Sequence, residues 1–160
     1  MVKKYVFGTP IETDAVVKEI KETSWKDDIF QKEGNVFHYL LKTDETVYGL
    51  GENVRGMNKR GWRYVSNCSD NPLYGAHNFI MMGDGVSETY GLFVDTPGTV
   101  TFDVGYTDID RLSIAMENEN YKIYLIEGET YQDVVREFRE MIGRSYIAPR
   151  WAFGYGQSRW

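Results

Sequence analysis

The chain has 160 residues, enough for one domain with a real core and short for two. Hydrophobic residues make up 42% and charged ones 26%, which excludes a disordered or fibrous chain and fits an ordinary globular protein. The net charge of −6 leaves no basic stripe to displace counterions from a phosphate backbone, so no nucleic acid partner is expected. In chain order, residues 1–35 are polar and irregular, with two patches of edge-strand character at 2–7 and 15–20. Seven β-rich runs follow, at 36–42, 47–50, 79–82, 90–95, 100–106, 111–116 and 121–126. The turn signals Gly83-Asp84-Gly85, Thr96-Pro97-Gly98 and Glu117-Asn118-Glu119-Asn120 separate the later runs. Short strands at this spacing predict an all-β fold, an antiparallel β-sandwich. Alternation supports it: Phe102, Val104 and Tyr106 fall on one face, as do Leu112, Ile114 and Met116.

The period then changes. Tyr131, Val134, Val135, Phe138, Met141 and Ile142 recur at three- and four-residue spacing, which predicts a helix capped by Thr130 and ended by Gly143 in the αL conformation. Asp133 is placed to complete a capping box, one methylene short of the preferred Glu. Residues 144–149 read as an extended linker, because Pro149 disfavours helix at Ala148. Residues 148–160 form an aromatic-rich run of strand character that stops at Arg159-Trp160 with nothing following to pair with. The expectation is a truncated protein, divided as 1–129 sandwich, 130–149 helix and linker, and 150–160 a strand severed from its sheet. Such a strand should be disordered or docked in a borrowed place.

No run reaches the eighteen or so apolar residues of a membrane span, and Met1-Val2-Lys3-Lys4 leads into mixed sequence rather than an apolar signal core, so no membrane partner and a cytoplasmic location are expected. Cys68 is the single cysteine. An intrachain disulfide is therefore excluded, and zinc lacks its usual sulfur ligands. Of the two histidines, His38 completes a strand face, whereas His77 stands beside a loop of small polar residues and can hydrogen-bond a hydroxyl.

Three stretches exceed generic sheet: Val47-Tyr48-Gly49-Leu50-Gly51-Glu52-Asn53, the polar loop Asn67-Cys68-Ser69-Asp70-Asn71-Pro72-Leu73-Tyr74-Gly75, and the run from Trp151 to Trp160. Singly, each has a plain reading, respectively a bulge, a chain of Asx turns and a buried strand. In order, Tyr48-Gly49-Leu50-Gly51-Glu52, Asn71-Pro72-Leu73-Tyr74-Gly75, Gly91-Leu92-Phe93, Ile142-Gly143-Arg144, Pro149-Arg150-Trp151-Ala152-Phe153-Gly154 and Gln157-Ser158-Arg159-Trp160 resemble the N-terminal portion of glycoside hydrolase family 31 α-glucosidases. The resemblance runs from about residue 45 to 160.

It implies a galactose mutarotase-like sandwich packed on a (β/α)8 barrel, with 150–160 as the first barrel strand. It also implies that the loop around Asn67 and Asp70 helps to form the sugar pocket, although this loop is shorter than the family's. Asp70, Asn67 and His77 are the candidate substrate-binding residues; Trp62 and Tyr74 offer flat surfaces to a sugar or pack in the core. Retaining hydrolysis needs two carboxyl groups about 5 Å apart and neither metal nor organic cofactor. The family places both on later barrel strands, and its Trp-x-Asp-Met-Asn type nucleophile motif is missing here, so no catalytic residue is expected within the chain. Glu52, Asp70, Asp95 and Glu127 read as solvated loop or strand-end charges.

The leading expectation is the N-terminal part of an α-glucosidase, inactive alone, whose oligosaccharide or glucoside substrate binds in the complete enzyme. The alternatives are a stand-alone carbohydrate-binding module and an aldose 1-epimerase. A bare barrel-facing surface also implies self-association.

Overall fold

The computed structural model describes residues 1–26, 29–53, 55–66, 75 and 77–157. Among them the strands are β1 (Val2–Phe7), β2 (Gln31–Glu33), β3 (Val36–Leu40), β4 (Thr46–Gly49), β5 (Trp62–Ser66), β6 (Phe79–Gly83), β7 (Thr89–Asp95), β8 (Val100–Val104), β9 (Arg111–Met116) and β10 (Tyr121–Gly128). They pair, antiparallel throughout, into two five-stranded sheets, ordered β1-β10-β7-β6-β4 and β2-β3-β9-β8-β5. The expected all-β sandwich is the observed architecture, and each of the seven expected runs forms a strand.

The inner faces meet through alternate side chains. Phe37, Tyr39, Phe102, Val104, Leu112 and Ile114 of the second sheet oppose Val47, Ile80, Met82, Leu92, Ile123 and Leu125 of the first, all buried. β10 is apolar without alternation because its other face is covered as well. There Tyr124 and Ile126 lie under the helix α1 (Tyr131–Ile142). Val134 and Met141 of α1 are fully buried, each contributing about 1.5–3 kcal/mol, and Phe138 stacks on Phe79 at 3.8 Å and 5°. The helix lies close because β7 carries a glycine at the crossing: a Cβ on Gly91 would stand 2.5 Å from Val134 Cγ1. Thr130 and Asp133 form the expected capping box.

Residues 12–20 run as a strap across the rest of that outer face, and 22–25 then follow the edge of β1 and bring Trp25 against Tyr5, Phe7 and Phe37. Thr13 donates to both oxygens of Asp95, the buried Lys122 reaches Glu12 at 2.9 Å, and Val17 and Lys18 donate backbone N–H groups to Met141 O at 3.0 and 3.2 Å. Val16 and Ile20 join the apolar cluster under α1.

Several local expectations are corrected. Residues 15–20 form no strand, because their backbone donors go to the end of α1 rather than to a sheet edge. β2 and β5 were not expected. β8 ends at Val104, two residues early, so Tyr106 leaves the core face and is 59% exposed. Gly143 has φ 93° and ψ 159°, a positive φ without the αL ψ. Arg150–Phe153 forms a single 3-10 turn, with Trp151, Phe153 and Tyr155 exposed.

Candidate functional site

The end of β4 is the base of the candidate site. Leu50 donates its N–H to Phe79 O (2.9 Å) and Glu52 to Gly75 O (2.9 Å), so the Gly-Leu-Gly-Glu segment is stitched to the chain on both sides of position 76. Leu50 holds φ 66°, rare for a residue with a Cβ, and its side chain is buried, which supplies the packing that holds this backbone in place. Asn53 Nδ2 donates to Leu50 O at 2.8 Å and closes the turn. Gly51, at φ +69°, admits the approach: a Cβ there would stand 2.1 Å from Gly75 O and 3.0 Å from His77 Cδ2.

His77, a sequence-derived candidate, is exposed beside this clamp. Its Nε2 and the Glu52 Cγ both lie within 4 Å of the space a Gly75 side chain would fill, so the two side chains flank the same backbone. Its neighbour Asn78 accepts Val94 N–H on its carbonyl at 2.9 Å and buries a side-chain oxygen, Oδ1, that has no hydrogen-bond partner among the described residues. Asn67 and Asp70, with Cys68 and Tyr74, lie outside the described residues. The structure therefore sets His77 on the clamp at the base of the 67–75 loop and leaves the other two candidates undescribed.

Trp62, expected to offer a flat surface to a sugar or to pack in the core, does neither fully. It is 41% exposed, and the Arg55 guanidinium carbon sits 3.4 Å from its ring centroid. Two residues on, buried Tyr64 carries Lys59 Nζ 5.7 Å from its ring. Burial pushes the Lys59 ammonium below its ordinary value, and it donates to Gly56 O at 3.0 Å. Burial raises Tyr64 as well, with Arg55 pulling the other way, and the Tyr64 hydroxyl has no hydrogen-bond partner among the described residues. Sequence reasoning missed Arg55 and Lys59. The available signal was the run 55–64, which holds four cations and no acid in a chain of net charge −6.

The remaining candidates have structural duties. Asp95 holds Thr13 and stands 4.0 Å from Lys122, Glu127 pairs with Lys3 at 2.5 Å, and His38 Nδ1 shares a 2.9 Å hydrogen bond with Ser113. No group of three or more metal-ligating side chains occurs among the described residues. Among the described residues no helix is long and apolar enough to cross a membrane. What the site presents is a set of hydrogen-bonding groups around a fixed loop base.

The family model of the glycosyl hydrolase 31 N-terminal galactose mutarotase-like domain matches residues 8–103, well over half of the chain and all of the clamp. The chain belongs to glycoside hydrolase family 31. An α-glucosidase of Saccharolobus solfataricus is 33% identical over 129 residues, covering 75% of this chain and 18% of the relative. The α-xylosidase XylQ of Lactiplantibacillus pentosus is 29% identical, covering 69% and 15%. A cycloalternan-degrading enzyme from Trueperella pyogenes, solved with isomaltose, superposes with a TM-score of 0.70 at 22% identity over 81% of this chain and 22% of that one, a likeness of fold. This family 31 chain thus spans under a fifth of the length of the curated relatives it matches.

Proposed function

We propose that the chain is the N-terminal sandwich of an α-glucosidase that removes terminal α-linked glucose from oligosaccharides with retention. In this reading the sandwich is a scaffold and supplies one wall of the sugar pocket through Asn67, Asp70 and His77. The two carboxyl groups, about 5 Å apart in a retaining site, come from a (β/α)8 barrel whose first strand begins at residue 150. The observation that carries the reading is the 33% identity to an α-glucosidase over three quarters of the chain.

The test has two arms. The chain alone should not hydrolyse a chromogenic α-glucoside, whereas the complete open reading frame should, and in preference to the matching α-xyloside. Turnover by the chain alone, or a preference for xyloside in the complete enzyme, sinks the corresponding half of the proposal. A single cysteine supports the cytoplasm as its compartment.

Self-association belongs to the same reading. Tyr146, Ile147, Trp151, Phe153 and Tyr155 are each at least 75% exposed, an apolar surface that two copies of the chain can bury together. Sedimentation should show dimers or larger species; a monodisperse monomer counts against it.

A second reading, aldose 1-epimerase, draws on the His77 and Glu52 pair flanking Gly75, an acid and a base within reach of one site. It requires faster mutarotation of fresh α-glucose that His77→Ala abolishes. An unchanged rate removes it.

A further inference from the structure

The turn between β4 and β5 carries Arg55, Lys59, Arg60 and Arg63, and among the described residues only Arg63 meets a carboxylate, Asp103 at 3.1 Å. Arg60 is tied to the carbonyls of Lys42, Thr43, Glu45 and Ile109. Lys59 is 5% exposed and donates to Gly56 O. Arg55 lies flat on Trp62, and no hydrogen bond or ion pair among the described residues engages its guanidinium.

Trp62 and Tyr64 are alternate residues on one face of β5, so a single turn seats two cations on two neighbouring rings. A guanidinium stacked on an indole loses the use of one face and keeps its N–H edges, five donors in a fixed fork. Stacking has already removed most of the side chain's freedom, so little is lost on binding. A neutral sugar seeking the same indole face would have to displace the arginine. An anion would not, and it would meet an uncompensated positive edge in a chain of net charge −6.

We propose that Arg55, stacked on Trp62, is a binding subsite for the oxyanion of an acidic sugar, a uronate carboxylate or a sugar phosphate. The oxyanion part rests on the geometry of the turn. The sugar part rests on the proposed function, since Arg55 follows Glu52 of the loop clamp by three positions.

The 15N-labelled chain is titrated at low ionic strength with glucuronate, glucose 6-phosphate, acetate, inorganic phosphate and glucose. The readout is the Trp62 indole N–H resonance, assigned with Trp62→Phe. Both acidic sugars should move it and glucose should not. Arg55→Gln should weaken binding at least about tenfold, Arg55→Lys should restore part of it, and about 0.3 M salt should weaken it as well. Arg55 is exposed and holds nothing but Trp62, so Arg55→Gln should leave the rest of the spectrum in place. A Trp62 resonance that no oxyanion moves, or equal affinity in Arg55→Gln, overturns the subsite. Acetate and phosphate binding as tightly as the acidic sugars overturns the sugar assignment alone.

Discussion

The loop clamp can be opened with one methyl group. In Gly51→Ala the new Cβ would stand 2.1 Å from Gly75 O, a backbone atom that cannot rotate away, so the 67–75 base must retreat by on the order of 1 Å to restore ordinary contact. Retreat breaks the 2.9 Å bond from Glu52 N–H to Gly75 O, worth about 1 kcal/mol. The φ of +69° adds about 1–2 kcal/mol of backbone strain for any L-residue. Together these reach about 3 kcal/mol, a fall in Tm of about 6–12 °C for a domain of this size. Gly34→Ala is the control: its φ is +57°, and no heavy atom lies within 4 Å of the added Cβ, so strain acts there alone. Thermal melts of the two variants, followed by near-ultraviolet dichroism, separate contact from strain. If both lose the same stability, the close approach at Gly75 does not hold the loop. In the complete enzyme, Gly51→Ala should also raise KM for an α-glucoside more than it lowers kcat.

Three further perturbations test other parts of the structure. Tyr121 is 1% exposed, its hydroxyl has no hydrogen-bond partner among the described residues, and burial, helped by the Glu119 charge, pushes its pKa up to about 12. Tyr121→Phe keeps the ring against Phe7 and Phe37 and should raise stability by about 1 kcal/mol in urea unfolding. Thr130→Ala removes the hydroxyl that accepts Asp133 N–H and donates to Asp133 Oδ2, leaves the Thr130 N–H bond to Asp133 Oδ2 in place, and should cost about 1 kcal/mol by the same measurement; no loss would mean that packing on the sheet alone holds the start of α1. The Asp84 carboxyl is held well below its ordinary value, first by Glu88 N–H, then by the Ser87 hydroxyl and the N–H groups of Ser87 and Val86. A depressed folded-state pKa gives stability that is present above about pH 4 and lost as the pH falls below it. Asp84→Asn should flatten the acid limb of the stability profile, and an unaltered limb would show that the turn does not depend on this charge.

The strands readable in the sequence are those whose burial is one-sided and regular. β8 and β9 alternate cleanly because one face meets the other sheet and one meets solvent, and α1 shows its 3.6-residue period for the same reason. β2 was missed because Gln31-Lys32-Glu33 is polar and owes its conformation to pairing with β3. β5 did alternate, Trp62 and Tyr64 against Arg63, but its arginine is kept on the sheet by Asp103, 40 residues further along the chain and invisible to any local window. The strap failed as a strand because its bonds go to the last turn of a helix more than a hundred residues later. At the site, the Gly-Leu-Gly-Glu segment and His77 were legible from glycine placement and loop chemistry. The Arg55 and Trp62 stack was not, since which cation covers which ring depends on how the turn folds back on β5.

The pairing of β1 with β10, Val2 opposite Ile126, sets a timetable for synthesis. A ribosome adding about 5–20 residues per second needs roughly 6–25 s to travel from one strand to the other, and slightly longer to supply the Met141 carbonyl that receives the strap. Throughout that interval Tyr5 and Phe7 have no partner strand, and the growing sheet offers an open edge at β7 to any extended chain nearby. Yield of folded protein should therefore depend on how slowly the cell translates and how well its chaperones shield the first seven residues.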